Sequence, residues 1–210
     1  MHISDGILPA RICLTGYAFT GLITWHCLKK IKTDISPQEN IAKASLLTAG
    51  FFAASLIHIP IPPSSVHLVL NGAMGSILGY FAFPAILIGL FFQAAMFQHG
   101  GLTTLGVNAI IIGLPALFAH YLFRFGCRYR QPWLQNTFSF CAGAGSLAVS
   151  AIVFTLVIIT CIAPELSNGA ERTLSFIALG GYGIQSLIEG FFAVMLITFL
   201  RRVKPEMLRF

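Results

Sequence analysis

Charged residues are scarce in this 210-residue chain and make up only 10% of it, while 56% of the residues are hydrophobic. Soluble domains carry roughly a quarter of their residues as charged side chains, so this composition excludes an ordinary soluble protein. Several apolar runs approach the roughly 20 residues that a helix needs to cross a bilayer. Because backbone polar groups in lipid must be hydrogen-bonded within the chain, we predict an all-α fold, a polytopic membrane helical bundle.

Familiar catalytic and redox motifs are also missing. The chain contains no G-x-x-x-x-G-K-[ST] loop, no H-E-x-x-H and no G-x-S-x-G, which excludes ATP hydrolysis at a P-loop and peptide cleavage by those routes. The five cysteines include no C-x-x-C pair, so neither a disulfide framework nor a thiolate metal site is expected. The net charge of +6 comes from basic residues in short loops, where they set membrane orientation. Nucleic acid is therefore not an expected partner.

Seven apolar runs are bounded by charges, prolines or glycines. We predict helices near 12–28, 41–58, 66–80, 83–98, 103–123, 137–163 and 174–200. Residues 66–98 are divided into two helices around Gly79 and Pro84, because glycine and proline favour a turn. No linker is long enough to divide domains, so 1–210 is expected to form one transmembrane domain that includes an amino-terminal segment, 1–10.

Basic residues determine the expected orientation, since cytoplasmic loops are enriched in Lys and Arg. With about seven transmembrane helices and the amino terminus outside, eleven of the thirteen basic residues fall on the cytoplasmic side, together with the carboxyl terminus. No positive charge precedes the first apolar run, so a cleaved signal peptide is not expected. Four of the six histidines then lie at or near the outer face: His2, His58, His67 and His99.

A free amino terminus followed by histidine can chelate a metal by itself. The terminal amine of Met1 and the amide nitrogen and imidazole Nδ1 of His2 close a five-membered and a six-membered ring around one ion. Such a planar nitrogen set suits Ni(II) or Cu(II), with Co(II) lower in the affinity order. The bulky second residue should also hinder removal of Met1. The alternative is that His2 is a polar residue in a frayed terminus.

One more nitrogen would complete a square around the ion. His67 is the preferred fourth ligand, because the proline-stiffened loop IPIPPSSVH delivers it to the start of a helix; His58 and His99 are alternatives. A ligating imidazole normally needs a partner for its other nitrogen. Candidates for that supporting role are Asp5, His58, Asn71 and His99.

A carboxylate lies within the last apolar run. This residue is Glu189, and Gln185 is one turn earlier on the same helical face. Because an acid inside a membrane is costly, a functional role is the first hypothesis. A structural acid that is hydrogen-bonded in the bundle core explains it equally well.

Five stretches together resemble the CbiM/NikM family, the substrate-binding membrane components of energy-coupling factor (ECF) importers for cobalt and nickel. They are MHISDGIL, IPIPPSSVHLVLNGAMGSILG, QHGGLTTLGVNAIIIG, SLIEGFF and the tail VKPEML. Ser4 stands where the family's opening has proline, and Leu70 and Asn71 replace a common glycine pair. The resemblance implies a planar metal site formed by the Met1 amine, the amide and imidazole of His2, and the imidazole of His67.

The same resemblance implies Ni(II) or Co(II) as the transported substrate, in a bacterial or archaeal cell membrane. It implies as partners a coupling transmembrane subunit, cytoplasmic ATPase subunits and a small accessory membrane protein, besides membrane lipid. ATP would then be hydrolysed by the partners. Two other functions stay open: a b-type haem membrane cytochrome with His26 and His120 as facing ligands, and a gradient-driven metal carrier.

Overall fold

The computed structural model describes residues 1–32, 37–61, 64–161 and 170–208, with the side chains of all of these except 37, 58–61, 64–66 and 170–177. The described residues form seven α-helices and two β-strands. The helices are α1 (Ala10–Ile31), α2 (Pro37–Ser55), α3 (Asn71–Leu78), α4 (Ala82–Phe97), α5 (Leu105–Gly126), α6 (Pro132–Cys161) and α7 (Ala170–Val203). The strands are β1 (His58–Ile61) and β2 (Ser64–His67). The predicted helical bundle is confirmed, with a short antiparallel hairpin added to it.

The hairpin occupies the proline-rich loop and the first residues of the third predicted helix. Its register pairs His58 with His67 and Ile59 with Val66. Isoleucine and valine favour an extended backbone, and Pro60 cannot donate the hydrogen bond that a helix interior requires. The prediction of a helix over 66–80 is therefore too long, because the chain becomes helical only at Asn71.

The apolar stretch that follows is divided at Gly79. Here α3 ends with a φ of 58°, a left-handed backbone conformation that glycine adopts without a steric penalty. A 3₁₀ turn, Gly79–Phe81, then leads into α4. Pro84 lies in the first turn of α4, where its missing N–H costs no helical hydrogen bond. The eight residues of α3 extend only about 12 Å, less than the roughly 30 Å of a bilayer core.

The two helices return the chain to the end of the bundle from which it came. His67, just before α3, and His99, just after α4, have ring centroids 4.9 Å apart. Tyr80, between the helices, contacts His26 on α1 and His120 on α5, at centroid distances of 6.1 and 5.6 Å. This turn brings two histidines that are 32 residues apart to one place.

The centre of the bundle is α5, which packs against α1, α3, α4 and α6, while α7 packs against α6. Close approach depends on glycine: a side chain at Gly75 would collide with the backbone of Ala116 on α5, and one at Gly72 with that of Ala142 on α6. Small residues of this kind let helices pack tightly in a membrane, where no hydrophobic effect drives them together. The eight residues of α3 are all buried in consequence.

Four helical stretches of the described residues are long and apolar enough to cross a membrane. They are Leu105–Gly126, Pro132–Cys161, Ala178–Val203 and Asn71–Phe97, the last of which meets the length and composition of a span but folds back at Gly79. Large apolar side chains also cover the outside of the bundle; Leu14 and Phe191, for example, are 70% and 69% exposed. The last turns of α1, α5 and α7 carry the basic residues Lys29, Lys30, Arg124, Arg201 and Arg202.

Candidate metal centre

The amino-terminal segment is folded into the bundle, and its side chains are part of the core. Met1 is 8% exposed and Ile3 only 1%. The backbone of Ile3 is held on both sides: its N–H donates to Oδ1 of Asn108 at 2.9 Å, and its carbonyl accepts from Nδ2 of Asn108 at 3.0 Å and from Oγ1 of Thr104 at 2.6 Å. The first residues are therefore fixed in one path, unlike a frayed terminus.

Asp5, two residues after Ile3, anchors the same segment. Its carboxylate accepts hydrogen bonds from the backbone N–H of Leu102 at 3.2 Å, and from the N–H and hydroxyl of Thr103 at 2.8 and 2.5 Å. The Thr103 hydroxyl, helped by these backbone donors, lowers the pKa of Asp5. A side chain at Gly101 would collide with the carboxylate. These bonds tie the terminus to the loop before α5, and none of them reaches a histidine.

Burial also decides the protonation of the terminal amine. Complete removal from water lowers the pKa of the Met1 amine to about 5, because desolvation disfavours the charged form. Burial likewise lowers the pKa of His2 well below its usual value; the terminal amine, His67 and His99 lower it further when they are protonated, and a hydrogen bond with Gln93 opposes the change. At neutral pH the amine and the imidazole are therefore uncharged, the state in which nitrogen binds a metal.

Three imidazoles meet directly beside this amine. His2, His67 and His99 each offer one ring nitrogen, and these nitrogens all lie within 4.8 Å of one another. The ring centroids of His2 are 5.2 Å from His67 and 4.4 Å from His99. Neither ring nitrogen of His2 has a hydrogen-bond partner among the described residues. The fold thus joins the chain terminus, the end of β2 and the end of α4 in one nitrogen-rich pocket.

His67 is held with one nitrogen toward the backbone and the other toward the pocket. Its Nδ1 lies 3.2 Å from the carbonyl of Leu68, and a carbonyl can only accept, so the ring proton is on Nδ1. Its Nε2 then carries the lone pair and faces Nε2 of His99 at 3.2 Å. The backbone carbonyl of His67 accepts a hydrogen bond from Nε2 of Gln185 at 2.5 Å. This bond to α7 fixes the backbone of His67.

Glu189 holds the link between β2 and α3. Its Oε1 accepts from the backbone N–H groups of Val69 and Leu70, the latter at 3.0 Å, and its Oε2 accepts from Leu70 at 2.8 Å. Glu189 is 2% exposed. Leu70 has a left-handed φ of 54°, so these donors cannot join a regular strand or helix. Glu189 accepts the hydrogen bonds of these two N–H groups instead. This contact fits the explanation that Glu189 is a structural acid, hydrogen-bonded in the bundle core.

Two other predicted residues have different positions. Asn71 is buried, but its amide nitrogen donates to the carbonyl of Ile112 at 3.1 Å and to the hydroxyl of Ser150 at 2.9 Å; it hydrogen-bonds none of the three pocket histidines. The backbone of His58 lies opposite His67 in the hairpin. The predicted role of the His58 side chain falls outside the described residues.

Gln93, on α4, is a pocket residue that sequence reasoning missed. It is fully buried next to His2, whose pKa it raises through a side-chain hydrogen bond, although neither atom of its amide has a partner at ideal hydrogen-bond geometry among the described residues. A buried amide needs hydrogen-bond partners, and the imidazole of His2 is the polar group beside it. If Nδ1 of His2 binds an ion, the Nε2 proton needs an acceptor, and the oxygen of Gln93 can supply it.

Replacing Gln93 with Leu is expected to lower Ni(II) affinity by about 10- to 100-fold, the usual cost of losing a partner of a ligating histidine. Isothermal titration of the purified protein measures this loss. Gln38→Leu is the matched control, since Gln38 is exposed on α2 and its replacement should leave affinity unchanged. Equal Ni(II) affinities for both variants and the wild type would show that Gln93 does not support His2 in metal binding.

The histidines of the haem alternative lie elsewhere in the bundle. The ring of Tyr80 contacts both His26 and His120, and its hydroxyl is 2.6 Å from that of Tyr121. Tyr80 therefore occupies the region between the two histidines that a haem would have to enter. The arrangement does not support the cytochrome hypothesis.

Known proteins that resemble this chain belong to one family of metal transport proteins. Residues 2–207 match the CbiM family, described as the cobalt uptake substrate-specific transmembrane region. A putative metal transport protein of Haemophilus influenzae is 41% identical over 126 residues, which cover 59% of this chain and 58% of that relative. A putative cobalt transport protein, CbiM 1, of Methanocorpusculum labreanum is 28% identical over 220 residues, covering 100% of this chain and 92% of the relative.

A fused protein and a solved structure extend the comparison. The fused nickel transport protein NikMN of Rhodobacter capsulatus is 31% identical over 112 residues, 52% of this chain and 32% of the relative. The crystal structure of a truncated transition metal transporter matches with a TM-score of 0.74 at 18% identity, covering 96% of this chain and 98% of that one. At this identity the structural match shows a shared fold.

Proposed function

Because the chain belongs to the CbiM family of cobalt-uptake transmembrane components, we propose that it is the metal-binding membrane subunit of an ECF-type importer for Ni(II) or Co(II). It is a multi-pass transport protein of the cell membrane and not an enzyme. The observation that carries the proposal is the buried amino terminus beside three clustered histidines.

The proposed site uses four nitrogens in one plane. Three come from the terminus itself: the Met1 amine, the amide of His2 and its imidazole Nδ1. The fourth is Nε2 of His67, whose lone pair faces the pocket because its Nδ1 proton points to Leu68. Planar nitrogen coordination suits Ni(II), and Co(II) accepts the same donors. The ion is the substrate that the protein carries.

The orientation is proposed from the charges at the two ends of the bundle. The basic last turns of α1, α5 and α7 would face the cytoplasm. The pocket, at the other end of α1 and α5, would face outward, with the amino terminus outside and the carboxyl terminus inside. The whole of 1–210 would act as one transmembrane domain that includes the short α3 as a helix buried within the bundle.

Energy for uptake would come from partners. The chain has no phosphate-binding P-loop, so we propose a coupling transmembrane subunit and cytoplasmic ATPase subunits, with a small accessory membrane protein. The name of the fused relative NikMN supports a second membrane component. In this mechanism the ion is captured at Met1, His2 and His67, the outer loops close over it, and ATP hydrolysis by the partners reorients the subunit to release it inside.

Uptake by cells tests the proposal. In a strain without its own nickel and cobalt importers, co-expression of the chain with its coupling and ATPase subunits should give uptake of radioactive Ni(II) or Co(II). His67→Ala should reduce that uptake to background, since it removes a ligand. His26→Ala, on the far side of Tyr80 from His120, should transport like the wild type. Full uptake with ATPases inactivated would instead identify a gradient-driven carrier.

A further inference from the structure

The pocket contains one more imidazole than a planar site uses. Building on the proposed function, we propose that His99 is a fifth ligand of the bound ion, above the plane of the other four nitrogens. This residue would then set the preference between Co(II) and Ni(II), which differ in how readily they accept a fifth nitrogen.

The distance between His67 and His99 has the value that adjacent ligands require. Metal–imidazole bonds of roughly 2.0–2.1 Å place two nitrogens at right angles about 2.9 Å apart, and two nitrogens on opposite sides about 4.1 Å apart. The observed separation of the Nε2 atoms is 3.2 Å, close to the first value. An axial ligand is at right angles to every planar ligand, so His99 can be adjacent to both His67 and His2. The 4.8 Å limit for all three histidines agrees with this arrangement.

The backbone fixes His99 in this position. After α4 ends, Gln98 takes a left-handed φ of 52° and Gly100 one of 88°, and the N–H of His99 donates to the carbonyl of Gln93 at 3.1 Å. The φ of Gly100 would strain any other residue there, and a Cβ at Gly100 would lie 3.3 Å from Nδ2 of Asn108 and in contact with His2 at 3.5 Å. The turn that places His99 over His2 is therefore built into the fold.

Neither His67 nor His99 needs a second ring proton for both Nε2 atoms to bind the ion. Nε2 of His67 holds a lone pair, so Nε2 of His99 donates a proton toward it. When the ion enters, both Nε2 atoms bind it, and neutral His99 carries its proton on Nδ1 instead. Loading the site then changes only the tautomer of His99, while the amide of His2 releases its proton to solvent as its nitrogen binds the ion.

Metal preference should follow from the fifth nitrogen. A strictly planar nitrogen set is favourable for Ni(II), whereas Co(II) is stabilised by an added axial nitrogen. Replacing His99 with Phe keeps the ring contacts with His2 and His67 but removes the donor atom. In competition titrations the Co(II) affinity relative to Ni(II) is expected to fall by about tenfold. His26→Phe is the control, because His26 lies outside the pocket, and its ratio should equal that of the wild type.

X-ray absorption at the nickel edge separates the outcomes. Planar Ni(II) gives an intense 1s→4p feature before the edge, and an axial ligand removes it. The nickel-loaded wild type should lack this feature, and His99→Phe should show it. A planar feature in the wild type itself, which needs no variant to fold, would overturn the role of His99 while leaving the four-nitrogen site intact. An unchanged spectrum in His99→Phe would also overturn it, whereas no nickel bound by the wild type would reject the proposed function.

Discussion

Ni(II) binding is expected to be lost when the amino terminus is extended by two residues, Met-Gln, ahead of Met1. The extension converts the Met1 amine to an amide and removes the five-membered chelate ring. It also has no room, because Met1 is 8% exposed and its amine is fully buried. We expect affinity to fall at least about a thousandfold, or about 4 kcal/mol, in a titration of the purified protein.

The length of the extension matters for this test. Adding a single residue would make histidine the third residue, and a terminal amine, two amides and that imidazole form a complete four-nitrogen site of their own. With two added residues histidine is fourth, and this set cannot form. Adding Met-Gln after Phe210 is the control, which should bind Ni(II) like the wild type. Undiminished affinity in the amino-terminal variant would show that the terminus is not a ligand.

Glu189→Leu is expected to destabilise the fold and to weaken metal binding together. Two buried N–H groups, of Val69 and Leu70, would lose their acceptor. At about 1–3 kcal/mol for each unsatisfied donor, the loss is about 2–6 kcal/mol. Because these residues lie two and three positions after His67, its imidazole would also lose its fixed position. Thermal unfolding in detergent measures the first effect and Ni(II) titration the second.

Conservative and distant variants define what the acid contributes. Glu189→Gln keeps one oxygen acceptor and should lose less stability than Glu189→Leu. Glu206→Gln, on an exposed residue of the turn Pro205–Leu208, should change stability by no more than about 0.5 kcal/mol. A Glu189→Leu variant that unfolds at the wild-type temperature and binds Ni(II) normally would contradict the structural role assigned to this acid.

Much of the bundle was predictable because its signals are local. Apolar runs are long where α5 and α6 occur, and Gly79 interrupts the run that becomes α3 and α4. Charge asymmetry placed His2 and His67 on the same side, and the structure brings their rings to 5.2 Å. Each of these inferences needed only a composition or a pattern within one segment.

The pocket's supporting groups were less predictable because they depend on tertiary contacts. Nothing near Gln93 in the sequence indicates that its amide meets the second residue of the chain. Asp5 was recognised, but its partners, Leu102 and Thr103, lie nearly a hundred residues away. The β-hairpin was missed because a run of apolar residues with prolines is equally compatible with a loop. His99 was predicted both as an alternative fourth ligand and as a supporting residue, and its Nε2 lies 3.2 Å from that of His67.

Location of the ion tests the central claim most directly. Crystals of the protein loaded with Ni(II), measured on both sides of the nickel absorption edge, give an anomalous difference map that shows the metal alone. We predict one strong peak bounded by the Met1 amine and the imidazoles of His2 and His67. A peak elsewhere, such as beside His26 and His120, or no peak with nickel present in the crystals, would contradict it.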